Sequence, residues 1–371
     1  MNSGAPDTVA QARRARIAAT VRGDVRALGR YEVPDASGCI KLDAMENPYT
    51  LPSELAQALG AALARVAVNR YPDAQAASAK DALRNALALP ADMGLLLGNG
   101  SDELIQIVTS TVARRDAGVL SPEPSFVMYR RNALLSQAPF TGVALRADFS
   151  LDVGAVLDAI DRARPALVFL AYPNNPTGNL FDAADVERII RAAPGLVVVD
   201  EAYYAYADAS FLPRVLDFAN LVVIRTVSKI GMAGLRVGYA VGHPDWIDEF
   251  DKLRPPYNVG SLAQAALPVL LAHADLFARQ AATIRTERER LSGALAKAGA
   301  QTFPASTNFV LVRVPDANAS FEALRSARIL VKNLHGSHPL LANCLRITVG
   351  TPDENDALVD VLGRHLMERQ R

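Results

Sequence analysis

A mostly parallel β-sheet covered on both faces by helices, followed by a smaller C-terminal α/β domain, is the architecture that three features of the sequence predict. Between residues 95 and 241 short apolar runs alternate with amphipathic stretches, the pattern of an α/β protein. Residues 167–171, 196–199 and 221–224 are apolar throughout rather than alternating, as strands buried on both faces require. Stretches rich in polar residues, glycine or proline then follow the ends of these runs. That edge of an open α/β sheet is where ligands bind.

A chain of 371 residues is long enough for two domains and a large core. Half of its residues are hydrophobic, and 39 Lys and Arg balance 39 Asp and Glu, so no basic excess points to nucleic acid or to an acidic membrane surface. Cys39 and Cys344 stand far apart, without metal-ligand spacing, which suits structural thiols in a reducing compartment. No apolar run reaches the length of a membrane span, and the N-terminus lacks the apolar core of a signal peptide. A cytoplasmic enzyme is expected.

The first thirty residues carry Arg13, Arg14, Arg16, Arg22, Arg26 and Arg30 between small apolar residues. They read as a solvated helix near a subunit contact, with a transit peptide or an anion-binding patch as alternatives. A helix is expected over residues 53–68, then a turn at Asn69-Arg70-Tyr71-Pro72-Asp73, where the proline pushes Tyr71 out of helical space. Candidate strands of the sheet are residues 95–97, 119–120, 143–145, 167–171, 196–199, 221–224 and 237–241. Residues 263–300 read as helical, and residues 308–314, 329–332 and 345–349 as strands. The organisation predicted is an N-terminal arm over residues 1–40, a large domain over 41–250 and a small domain over 251–371.

Chemistry concentrates at four places. Lys229 follows a buried strand, where lost solvation favours the neutral amine and makes it a nucleophile toward a carbonyl. The hydroxyls of Thr226 and Ser228 and the guanidinium of Arg236 flank it, a combination suited to a phosphate. A solvated loop lysine beside a surface arginine is the alternative. In Gly98-Asn99-Gly100-Ser101-Asp102-Glu103, Ser101 and Asp102 begin a helix whose free N–H groups can hold a phosphate or simply be capped. Asp200 ends a buried strand, where a charge is costly unless paired.

The Tyr172-Pro173-Asn174-Asn175-Pro176-Thr177-Gly178 loop, the Asp200-Glu201-Ala202-Tyr203 strand end and Ser228-Lys229, in this order, resemble the aminotransferases of the pyridoxal-phosphate fold type I superfamily. The resemblance runs from about residue 31 to the C-terminus. It implies that fold, with a seven-stranded sheet in the large domain, pyridoxal 5′-phosphate as cofactor, and amino transfer in two halves. Lys229, Asp200 and Tyr203 are then catalytic: the lysine as carbon partner and proton carrier, the acid opposite a protonated pyridine nitrogen, and Tyr203, with Asn175, at the phenolic oxygen. Gly100, Ser101, Asp102, Thr226, Ser228 and Arg236 would hold the cofactor phosphate, and Phe126 would stack on the ring unless it is only a core residue. Tyr71, otherwise a core tyrosine, would reach the phosphate of the other subunit in a homodimer.

Within the superfamily, Tyr31, Asn69-Arg70-Tyr71-Pro72 and Cys344-Leu345-Arg346-Ile347-Thr348-Val349-Gly350-Thr351 are most similar to the histidinol-phosphate aminotransferases. This implies small-molecule substrates, L-histidinol phosphate with 2-oxoglutarate or glutamate, contacted by Tyr31, Asn175, Lys332 and Arg346, and neither a metal nor a nucleic-acid or membrane partner. The sequence departs from that family in three places. Lys229 and Arg236 are seven positions apart where many relatives have eight, Met45 stands where asparagine is frequent, and the basic residue at 332 is a lysine. A lyase of the same fold, such as a phosphothreonine decarboxylase, or an aromatic amino acid aminotransferase would share every cofactor residue. A ligand-sensing regulator would need a further domain, for which some thirty residues before Tyr31 are too few.

Overall fold

The computed structural model describes residues 5–30 and 34–368, so Tyr31 lies outside the described residues. Contacts divide the chain into two compact units, Met1–Ser37 and Gly38–Arg371. In the first unit helices run over Ala5–Thr20 and Gly23–Arg26; of the arginines expected on a solvated helix, Arg13, Arg14, Arg16, Arg26 and Arg30 are exposed and Arg22 is half-buried.

In the second unit the strands are β1 (Ile40–Lys41), β2 (Gly94–Asn99), β3 (Val119–Glu123), β4 (Phe140–Ala144), β5 (Leu167–Ala171), β6 (Leu196–Asp200), β7 (Leu221–Thr226), β8 (Val237–Gly242), β9 (Gln301–Thr302), β10 (Phe309–Arg313), β11 (Ile329–Leu330), β12 (Lys332–Asn333) and β13 (Cys344–Thr348). Seven of them form one sheet in the order β2-β8-β7-β6-β5-β3-β4, parallel except for β8, which runs antiparallel to both neighbours. Successive side chains of a strand face opposite ways. Val197 and Val199 accordingly join one apolar cluster and Val198 the other, and Val223 and Ile224 divide likewise. The continuous apolar runs therefore reflect a sheet buried on both sides.

The C-terminal strands form a separate antiparallel sheet, β12-β13-β10-β9. With helices Ala274–Lys297, Ala317–Ser326 and Pro352–Glu368 it surrounds its own core of residues such as Ile284, Leu291, Phe309, Ile347 and Leu358. The run read as one strand over residues 329–332 is divided: β11 pairs in parallel with β1, whereas β12 pairs with β13. Ile40, counted with the N-terminal arm, is thus a strand partner of Ile329. The expected helix over 53–68 ends at Leu63, and the long helical stretch breaks into Ser261–Leu271 and Ala274–Lys297. Among the described residues no single helix is long and apolar enough to cross a membrane.

One ion pair is buried behind the sheet's functional edge. Arg225 Nη2 lies 2.8 Å from Glu201 Oε2, with the Glu201 side chain fully buried and that of Arg225 only 7% exposed. Ser210 and the backbone N–H of Phe211 also donate to this carboxylate, and the guanidinium lies 4.0 Å from the Tyr204 ring centroid. Removing one partner strands a buried charge. Arg225→Ala is expected to destabilise the protein by about 3–5 kcal/mol, and Arg225→Met with Glu201→Gln by clearly less. Denaturant unfolding of both variants checks this; equal losses would show that packing, not the unpaired carboxylate, sets the penalty.

Candidate active site

Because β8 runs antiparallel between β7 and β2, its first residue lies at the same edge as the C-terminal ends of the parallel strands. Asn99 pairs with Val237, Thr226 with Gly238, and Asp200 with both Ala171 and Ile224. Residues distant in sequence thereby meet around one cleft, at the sheet edge where ligands of open α/β folds bind. Of the predicted residues, Phe126, Asn175, Asp200 and Tyr203 line it from beyond β3, β5 and β6, and Ser101, Asp102, Thr226, Ser228, Lys229 and Arg236 from beyond β2 and β7 and ahead of β8.

Asp200 is 4% exposed. Burial raises its pKa to about 6, against the pull of two neutral donors, the Tyr129 hydroxyl at 2.7 Å from Oδ2 and the Ala202 N–H at 3.1 Å from Oδ1. Lys229 shifts the other way: burial, reinforced by the positive charge of Arg346, lowers its amine to about 8. Its Nζ donates to the Ala44 carbonyl at 3.3 Å and lies 5.9 Å from the Tyr203 ring centroid, while Tyr206 Oη donates to its backbone carbonyl at 2.6 Å. A nucleophilic amine and a high-pKa acid in one cleft mark a site of proton chemistry.

Helix Ser101–Val112 opens directly after β2, aiming unpaired N–H groups at the cleft. Gly100 enables the approach: its φ is +79°, and a Cβ there would lie 2.7 Å from Arg236 Nη2. Gly238 is needed equally, since its Cβ would meet the Ser101 nitrogen at 2.5 Å. Arg236 Nη1 donates to Ser228 Oγ at 3.4 Å and Nη2 lies 3.7 Å from Asp102, while Thr226 Oγ1 donates to Ser228 Oγ at 2.9 Å. The seven-position spacing from Lys229 is thus accommodated: a wide π-turn over Ser228–Met232 and a tight 3-10 turn over Ala233–Leu235 bring the arginine back to the serine.

Substrate-side candidates come from the other sheet. Arg346 on β13 donates through Nη1 to Asn175 Oδ1 at 2.6 Å and through Nη2 to the Asp43 carbonyl at 3.1 Å. Lys332 pairs directly across from it, which puts both side chains on one face. Tyr71 departs from the other candidates. At 82% exposure it is no core residue, and its ring stacks on Tyr257 rather than lining the cleft of its own chain.

Sequence reasoning missed Tyr129, whose hydroxyl holds Asp200 while its ring stacks on Phe169 at 4.4 Å. Its position three residues after Phe126, one turn along a helix, was the available signal. Met45, noted in the sequence only as a departure, lines the cleft; also missed was Asn174, whose amide donates to the Pro124 carbonyl and to Thr177 Oγ1 and whose Oδ1 accepts from Ser125. Asn174 ties the loop bearing Asn175 to the segment bearing Phe126.

A flat heteroaromatic aldehyde with a phosphate fits these groups: helix N-terminus, hydroxyls and arginine for the phosphate, the amine for the carbonyl, and the buried acid for a basic ring nitrogen. That is pyridoxal 5′-phosphate. Sheet order and cleft together define the fold type I architecture of pyridoxal-phosphate enzymes. The sequence matches the family described as aminotransferase class I and II over residues 37–362, and the chain belongs to that family. It is 56% identical to histidinol-phosphate aminotransferase 1 of Burkholderia lata, covering 92% of this chain and 96% of that protein, and 56% identical to histidinol-phosphate aminotransferase of Chromobacterium violaceum, covering 93% and 97%. The structure resembles histidinol-phosphate aminotransferase of Sinorhizobium meliloti in complex with pyridoxal-5′-phosphate, with a TM-score of 0.84 at 26% identity over 94% of this chain and 98% of that one.

Two measurements probe the electrostatics. In cofactor-free protein, borohydride trapping of an added aldehyde on Lys229 is expected to rise with pH with a midpoint near 8, because only the deprotonated amine attacks; a midpoint near the ordinary lysine value would contradict the lowered pKa. Tyr129→Phe keeps the ring stack but removes a donor that lowers the Asp200 pKa. The acid limb of the kcat/KM profile should therefore move to higher pH, with about a tenfold loss at pH 7 that shrinks on going to pH 8.5. A loss equal at every pH would separate Tyr129 from the acid's titration.

Proposed function

We propose that this aminotransferase moves an amino group between L-histidinol phosphate and 2-oxoglutarate, giving imidazole acetol phosphate and L-glutamate in L-histidine biosynthesis, as a cytoplasmic homodimer. The observation that carries this reading is the pairing of Arg346 and Lys332 on one sheet face, with Arg346 bonded to Asn175 of the cleft. Two substrates with different anions, a carboxylate and a phosphate, must use one pocket, and two adjacent cations serve both. The names borne by relatives 56% identical over nearly the whole chain support the same substrates.

Pyridoxal 5′-phosphate, when bound, supplies an electron-withdrawing ring that stabilises the charge left when a substrate Cα–H bond breaks. The chain's own residues do the rest. Gly100, Ser101, Asp102, Thr226, Ser228 and Arg236 hold the phosphate end, and Phe126 forms a flat wall against the ring. Asp200 keeps a proton on the ring nitrogen: ionised beside a cation, it regains the stability that burial among neutral donors withholds. Asn175 and Tyr203 donate to the phenolic oxygen. Lys229, its amine losing its proton around pH 8, takes the proton from the substrate Cα and returns it on the other side of the exchange. Arg346 binds the substrate carboxylate, Lys332 and Tyr31 select the substrate phosphate, and Tyr71 completes the phosphate site of the partner subunit, which accounts for its exposure in a single chain.

A coupled assay with histidinol phosphate and 2-oxoglutarate is expected to show turnover. Single-turnover absorbance changes of the cofactor then separate the half-reactions. Arg346→Ala should damage both, by about 2–5 kcal/mol of transition-state binding, whereas Lys332→Ala should weaken histidinol phosphate and spare glutamate. Equal losses for both substrates in Lys332→Ala would remove its selective role. Decarboxylation of phosphothreonine without any turnover of histidinol phosphate would turn the reading to a lyase.

A further inference from the structure

Tyr71 and Tyr257 form a solvent-facing aromatic pair, 82% and 42% exposed, with ring centroids 4.7 Å apart and 17° between ring planes. Each lies in a non-helical connection: Tyr71 before Pro72, and Tyr257 ahead of helix Ser261–Leu271. The two segments also expose Val68, Leu253 and Leu262. Tyr257 has a φ of +61°, a backbone region that bulky residues occupy only where their surroundings impose it.

The imposing contacts come from the next residue. Asn258 Nδ2 donates to the Leu97 carbonyl at 3.2 Å and to Glu103 Oε2 at 2.6 Å, and its Oδ1 accepts from Arg254 Nη1 at 3.2 Å. Arg254 is held in turn by Asp251 at 2.5 Å. The same Glu103 oxygen accepts the Asn99 N–H at 2.6 Å, immediately before Gly100 and Ser101. One carboxylate thus ties the platform beneath Tyr257 to the N-terminal cup of helix Ser101–Val112.

Resting on the reading that Tyr71 completes the partner subunit's phosphate site, we infer that Tyr257 is the positioning residue for Tyr71. Its ring, fixed through Asn258 and Glu103 to the subunit's own phosphate cup, holds the Tyr71 ring in the pose in which it is offered to a second copy. An exposed side chain on a turn otherwise spreads over several rotamers, and ordering it would weaken binding when the second copy arrives. A stacked neighbour removes most of that freedom beforehand. The arrangement also links the cups of a dimer: the residue that anchors one subunit's cup anchors the tyrosine delivered to the other.

The test is cofactor affinity, measured by equilibrium dialysis of pyridoxal 5′-phosphate against the dimeric apoprotein, with the dimer followed by sedimentation. Tyr71→Phe should weaken binding about tenfold, the size of one lost hydrogen bond to a charged group. Tyr257→Ala and Tyr257→Leu should each weaken it about five- to tenfold, whereas Tyr257→Phe, which keeps the stacking face, stays within about twofold of wild type. Tyr71→Phe combined with Tyr257→Ala should bind no more weakly than Tyr71→Phe alone, because Tyr257 acts through Tyr71. Wild-type affinity in Tyr257→Ala and Tyr257→Leu beside an impaired Tyr71→Phe would overturn the inference alone, as would additive losses in the double variant. Wild-type affinity in Tyr71→Phe would overturn the cross-subunit reading on which it rests.

Discussion

A carboxylate buried without a cation is the constraint on which the site turns. Asp200 ends a strand in the middle of the sheet, its neighbours β5 and β7 shield it, and its hydrogen bonds come from a tyrosine and a backbone N–H, both neutral. With a pKa near 6 it is mostly ionised at neutral pH, a charge with no internal cation to compensate it. A positive ring nitrogen beside it, as proposed above, would resolve this. Next door, Glu201 faces the opposite way and is neutralised inside the protein by Arg225. Two consecutive acids on one strand end thus have opposite fates, decided by which face of the sheet holds an arginine.

Much of the fold was legible because buried parallel strands are apolar along their whole length, and all seven strands of the large sheet were anticipated. The cleft was legible for a related reason. Strand-end residues such as Asp200 and Thr226 are polar where the pattern demands apolar ones, so each announces a task.

What escaped depends on contacts between distant segments. Tyr129 reads as an ordinary aromatic one helical turn from Phe126 until β5 and β6 bring Phe169 and Asp200 against it. Asn174 reads as one of two asparagines in a turn, and only the folded loop distinguishes the strut from its neighbour. The pairing of β1 with β11 joins residues nearly 290 positions apart through two residues each, too short to leave a periodic signal. Tyr71 was named for a role at a subunit boundary, but its sequence context is equally that of a core tyrosine; its exposure excludes the core.

The bond between Arg346 and Asn175 joins the two sheets of the molecule, since the arginine stands on β13 and the asparagine on the loop after β5. Under the role proposed for Arg346, an incoming carboxylate would meet a guanidinium whose fork is already aimed and engaged. Binding becomes an exchange of acceptors, a neutral amide oxygen for a charged one, instead of the capture of an anion by a wandering side chain. Such an exchange yields modest affinity, because a bond is surrendered for each one made, but it spares the entropy of ordering a long side chain. The same bond fastens the two sheets to each other at the cleft, so the arginine proposed to meet the substrate is also a strut between them.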